Sequence, residues 1–100
     1  MAQYDVYENN GKNKNIIPYL LDIQSNILSD LKTRVVIPLG INKPYNKIVN
    51  PKIIVEAQEV IMMTPHLTSV DSSKLSIKVC SLENQRTTII NAIDFMVTGY

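Results

Sequence analysis

The chain has 100 residues, 45% of them hydrophobic, and ten basic against nine acidic side chains leave a formal charge of +1. That composition excludes disorder and excludes binding of nucleic acid by electrostatics alone, and the length fits one domain over residues 1–100. There is no apolar run long enough to span a membrane, MAQYDVYENN is no secretory signal, and a lone Cys80 excludes an internal disulfide; together these predict a cytoplasmic protein.

Gln3 to Tyr7 alternates and predicts a first, short edge strand. ENNGKNKN, Glu8 to Asn15, is a polar loop built on Asn-Gly. Ile16 to Ile23 is apolar, and Pro18 confines any strand there to an edge or a strand start. Gln24 to Lys32 is polar and irregular, punctuated by Ile27, Leu28 and Leu31. TRVVIPL, Thr33 to Leu39, is β-branched and reads as a central strand that Pro38 ends or bulges. Gly40 to Pro51 is a long connection. KIIV (Lys52 to Val55) and VIMM (Val60 to Met63) are strands around the link Glu56-Ala57-Gln58-Glu59. Leu67 to Val70 suggests a short strand, Asp71-Ser72-Ser73 a turn, and LSIKVC (Leu75 to Cys80) a last strand.

A helix is expected over the remainder, Ser81 to Tyr100. Leu82, Ile89, Ile93, Met96 and Tyr100 recur at helical spacing, and Ile90, Ala92 and Val97 widen the stripe. Ser81 is its N-cap candidate and Glu83 suits the positive end of the dipole. The closing residues Val97-Thr98-Gly99-Tyr100 are expected to form a free tip, apolar enough to need a partner's cover. Phe95 falls off the stripe beside Asn91 and Asp94, which marks a partner surface. Many short strands followed by one helix predict a mainly β fold, a strongly bent antiparallel sheet or small barrel with a C-terminal α-helix beside it. Long sheet edges and an apolar helix face favour a homodimer.

Chemistry-bearing patterns are scarce. One histidine, His66, and no paired-ligand spacing give no metal site; Gly11, Gly40 and Gly99 are too scattered for a phosphate loop; no nucleophile elbow is present. An acid–base ribonuclease would have to use Arg34, Asp22 and His66, but Arg34 leads a buried-looking strand and is expected to pair with a carboxylate or face solvent. The expectation is a protein without catalytic residues or cofactor. Met62 and Met63 read as core filling, and Cys80 as a small core hydrophobe.

Four segments, in order, resemble the CcdB-type toxins, DNA gyrase poisons of toxin–antitoxin modules. They are Leu21-Asp22-Ile23-Gln24-Ser25-Asn26-Ile27-Leu28; Arg34-Val35-Val36-Ile37-Pro38-Leu39; Met62-Met63-Thr64 with Thr68-Ser69-Val70; and Asn91-Ala92-Ile93-Asp94-Phe95-Met96 with Gly99. The resemblance is weakest over Glu8–Pro18 and Gly40–Val49. It implies the architecture of CcdB, Kid and MazF: an SH3-like bent antiparallel sheet, a small wing sheet and a C-terminal helix, in a homodimer. It also implies a toxin that binds the gyrase A subunit and traps the gyrase–cleaved-DNA complex. The resemblance further implies a CcdA-like antitoxin that neutralises the toxin, and operator DNA met only by the toxin–antitoxin complex, which represses the operon.

Carried over by position, the resemblance assigns gyrase contact to Ser25, Ile27, Asp94, Val97, Thr98, Gly99 and Tyr100. It assigns antitoxin contact to Ile27 and Leu28, and the dimer interface to Ile93 and Met96. Asp94 stands where the best-known plasmid toxin has Asn, and Tyr100 where a terminal Ile is usual. Thr98 replaces a Trp that stacks on a gyrase arginine, a cation–π contact worth about 1–2 kcal/mol that Thr98 cannot make. Two alternatives remain open: a ribonuclease toxin of the related messenger-RNA interferases, and a homologue that binds antitoxin alone.

Overall fold

The computed structural model describes residues 1–99; the expectations placed on Tyr100 lie outside the described residues. Seven strands and one α-helix are present among them: β1 Asp5–Glu8, β2 Tyr19–Asp22, β3 Thr33–Gly40, β4 Lys52–Val55, β5 Gln58–Met62, β6 Thr68–Asp71, β7 Lys78–Ser81 and α1 Arg86–Thr98. Every strand pairing is antiparallel, in one curled sheet of order β4-β5-β3-β2-β1-β7, with β6 also on β3. The expected bent sheet with a C-terminal helix is thus found, and the wing is the β4–β5 hairpin, continuous with the rest through Leu39 and Gly40.

β3 is the spine. One edge pairs with β2 from Val36 to Leu39; the other is shared by β6, up to Val36, and β5, from Leu39. Pro38 lies where those two partners change over. Its carbonyl accepts from the Met63 N–H at 2.9 Å, so its nitrogen also faces that side, where β6 has already stopped. The absent N–H costs no ladder bond, and β3 runs through to Gly40 instead of ending at Pro38.

The β4–β5 link is tighter than expected. Only Glu56 and Ala57 lie outside the strands, with φ of 48° and 68°, the left-handed pair that suits strand twist in a two-residue hairpin. β4 is an outer strand whose Ile54 backbone would otherwise face solvent. The Gln85 amide takes the place of a neighbouring strand: Oε1 accepts from the Ile54 N–H at 3.3 Å and Nε2 donates to its carbonyl at 3.0 Å.

Alternation sorts the side chains. Val6, Leu21, Ile37, Leu39, Ile53, Val55, Val60 and Met62 face one way and meet Leu82, Ile89 and Ala92 in the main core. Tyr7, Val36 and Leu75 form a smaller cluster elsewhere, flanked by Leu20 and Val70. The helix differs from expectation at its start. Ser81 ends β7, Leu82 sends its N–H to the Tyr4 carbonyl, and Glu83–Gln85 is a 3₁₀ turn, so α1 begins at Arg86. Ser81 Oγ does accept from the Glu83 N–H at 3.3 Å, but that bond lies at the start of the 3₁₀ turn, whose N-cap is Leu82, and not at α1. Only Ile89 and Ala92 of α1 are fully buried; Ile93 and Met96 are half-buried, and Ile90 and Val97 are exposed, so the stripe is narrower than its spacing suggested. No helix among the described residues is long and apolar enough to cross a membrane.

Candidate functional site

Two surfaces hold the residues picked out from sequence. The first is the loop after β2. Ser25 Oγ accepts from the Ile27 N–H at 3.3 Å and the Ser25 carbonyl from the Leu28 N–H at 3.0 Å, winding Asn26–Leu28 into a 3₁₀ turn. The first strand's approach pins it: Asn26 Oδ1 accepts from the Gln3 N–H at 2.8 Å, and Gln3 Nε2 donates to the Ile23 carbonyl at 3.1 Å. The turn has no buried residue of its own. It holds Ile27 91% exposed, the highest among the large apolar side chains described, with Leu28 and Leu31 about half exposed beside it. Leu31 has no role in the sequence assignment; its apolar character amid SDLK was the available signal.

Beneath the loop lies a buried polar network. Arg34 Nε donates to Asp22 Oδ2 at 2.8 Å, and Nη2 stands 2.7 Å from the same oxygen at an angle too poor for a second hydrogen bond. Both side chains are sealed from solvent. Asp22 Oδ1 accepts from the Gln24 N–H at 3.0 Å. The Gln24 side chain then reaches both ways: Oε1 accepts from the Val35 N–H and Nε2 donates to the Leu28 carbonyl at 2.8 Å. Burial pushes the Asp22 carboxyl above the ordinary range, against the opposing pull of Arg34 and the Gln24 N–H. Of the three residues an acid–base ribonuclease would need, two are therefore locked together out of reach, while His66 is exposed on the Thr64–His66 turn. No group of three or more potential metal-ligating side chains occurs among the described residues.

The second surface is the end of α1. Val97 is 68% exposed, Phe95 and Ile90 are also uncovered, and Asp94 lies open among them. Thr98 Oγ1 donates back to the Asp94 carbonyl at 2.6 Å. Gly99, at φ 81°, turns the backbone off the helix while its N–H bonds the Phe95 carbonyl at 2.8 Å. This is the left-handed cap that glycine adopts without strain. Ile93 packs partly into the core, and Met96 is half covered within the chain. No hydrogen bond or ion pair among the described residues joins this surface to the Ser25–Leu28 loop. Cys80 sits on β7 opposite Val6, half-buried against the core, its thiol pushed up chiefly by burial.

Comparison with protein families finds a match to the family described as CcdB protein, over residues 3–99. Comparison with curated proteins finds no match. The match spans nearly the whole chain, and the protein belongs to the CcdB family: it is a toxin of the toxin–antitoxin kind.

Proposed function

We propose that this toxin acts by binding the DNA gyrase A subunit and trapping the gyrase–cleaved-DNA complex, with no catalysis of its own. The observation that supports this reading is the uncovered end of α1, where Val97 and Phe95 stand open on the helix beside Asp94. A rigid element presenting a few apolar anchors is the form a high-affinity protein contact takes, because little conformational freedom is lost on docking. Val97, Thr98, Gly99 and Tyr100 with Asp94 form the main gyrase contact, and Ser25 and Ile27 add to it.

Ile27 and Leu28 also receive the cognate antitoxin. One exposed side chain, Ile27, then serves two partners, so bound antitoxin excludes gyrase from the loop. Ile93 and Met96, half-buried within one chain, contribute to a homodimer that covers them and leaves Val97 open. The toxin reaches operator DNA only with the antitoxin, since a formal charge of +1 gives it little phosphate affinity. A ribonuclease activity would require Arg34 to leave its pairing with Asp22, and nothing in the buried network offers it a route.

The test is expression in gyrase-sensitive cells beside cells whose gyrase A resists this class of toxin. Killing of the first alone supports the proposal. Equal killing of both, or none of either despite folded protein, overturns it. Light scattering at micromolar concentration tests the dimer, and a clean monomer there would remove Ile93 and Met96 from an interface.

A further inference from the structure

We infer a small-molecule site, for an organic anion with an apolar body, in a cavity of about 520 Å³ between the β1–β2 loop and the segment after β6. It shares no residue with the Ser25–Leu28 loop or the end of α1, so it stands apart from the gyrase reading.

Its floor is apolar. Leu20 and Pro38 are opposed across the β2–β3 ladder, and Val70 and Ile17 extend the surface they make. Leu20 and Val70 flank the small Tyr7–Val36–Leu75 cluster but remain only half-buried, so apolar surface is left facing the cavity.

Both walls are built before any ligand arrives. On one side Asn9 fixes the loop: Nδ2 donates to Asn13 Oδ1 at 2.9 Å and to the Ile17 carbonyl at 2.7 Å, while Oδ1 accepts from the Gly11 N–H at 2.9 Å. On the other, Asp71 Oδ1 accepts from the Ser73 N–H at 2.9 Å and starts the Ser72–Lys74 turn. Asn10 Nδ2 to Ser76 Oγ, at 3.3 Å, and the Glu8 N–H to the Ile77 carbonyl, at 2.9 Å, tie the walls together.

The rim determines the ligand's charge. Lys74 is the only ionisable side chain lining the cavity and makes no ion pair among the described residues; the Asp71 carboxylate feels its charge but lies outside the lining and is engaged by the Ser73 N–H. An ammonium beside carboxamides and hydroxyls over an apolar floor suits a carboxylate on a hydrophobic frame. The volume is that of an ordinary small-molecule pocket, roughly 300–1,000 Å³.

Naphthalene-2-carboxylate is a probe of this chemistry, titrated into the full ¹⁵N-labelled chain. The expected result is saturable shifts centred on the amides of Gly11, Ser73, Lys74 and Ser76. The exposed substitution Lys74→Glu should weaken the affinity about three- to tenfold, with the unliganded spectrum otherwise preserved. The neutral analogue naphthalene-2-carboxamide should bind more weakly than the acid. No saturable shift, or shifts centred on Ile27–Leu31 or on α1, would overturn the site. Equal affinity of the acid for wild type and Lys74→Glu would overturn its preference for anions.

Discussion

The side-chain amide of Gln24 holds the backbone carbonyl of Leu28 at 2.8 Å, and so ties an exposed turn to a buried ion pair. The same side chain accepts from the Val35 N–H, and the Gln24 backbone N–H donates to Asp22, which carries Arg34. Ile27 can stand 91% exposed on a hydrogen-bonded turn because its neighbours' polar groups are satisfied from below.

Gln24→Met keeps the length and apolar stem but removes both side-chain hydrogen bonds. It should cost about 1–3 kcal/mol, since the Leu28 carbonyl and Val35 N–H lose their partner in a largely buried place. The turn should loosen, with faster amide exchange at Ile27 and Leu28 and weaker binding of whichever partner uses them. Unchanged exchange at both amides would show that the local Ser25 bonds suffice to hold the turn.

Arg34→Met tests the pair itself. Removing the guanidinium strands a carboxylate that is fully buried, and such a loss costs about 3–5 kcal/mol. Its pH dependence has a definite sign. The Asp22 carboxyl already sits above its ordinary value in the folded chain, and without Arg34 it should rise further. The folded variant then binds a proton more tightly than the unfolded one, so the penalty grows as pH rises from the ordinary carboxylate value through the raised one and shrinks as pH falls. Pairing the change with Asp22→Leu should recover much of the loss at neutral pH, because no lone charge remains. Urea melts of the three variants across pH 4–8 (approximate limits of the carboxylate window) decide it.

Strand existence was largely legible because β-branched runs such as TRVVIPL and KIIV carry their own signal. Their ends were less so. Pro38 looked like a terminator, and only the changeover from β6 to β5 along β3 makes it harmless. Glu56-Ala57 contains neither Asn nor Gly, so a two-residue turn left no mark in the sequence. Leu82 lay on a helical spacing and is buried, yet it gets there by extending the strand region through its bond to Tyr4. Among the proposed contact residues, Ile27, Leu28 and Val97 announced themselves as apolar groups in polar surroundings or at a helix end. The roles of Gln24 and Gln85 did not, since an amide that completes a distant backbone is specified by tertiary position alone.

Ala57→Gly should stabilise the wing. Ala57 adopts φ 68°, a conformation that costs an L-residue about 1–2 kcal/mol and glycine very little. Part of that gain is lost to the greater freedom of glycine in the unfolded chain, leaving about 0.5–1 kcal/mol. A higher denaturant midpoint at unchanged slope is the expected reading; a lower midpoint would mean that the Ala57 methyl makes a contact outweighing its strain.

The gyrase surface proposed at the end of α1 can be tested apart from the fold. Deleting Thr98-Gly99-Tyr100 removes the Thr98 bond to Asp94 and the Gly99 bond to Phe95, both at an exposed helix end. Terminal turns fray readily, so the described part of the fold loses little. The melting temperature should fall only slightly, while binding to a gyrase A fragment should be lost. Val97→Asp should act in the same direction without shortening the chain, because it puts a charge on a side chain that is 68% exposed and buries nothing within the protomer. Thr98→Trp runs the other way. It gives up one exposed hydrogen bond and places an aromatic face where a guanidinium can stack, a gain of about 1–2 kcal/mol if desolvated; gyrase binding should tighten by up to about tenfold. Undiminished binding in the truncated protein and in Val97→Asp would take this surface out of the mechanism. A large drop in melting temperature on truncation would instead assign residues 98–100 to the folded core.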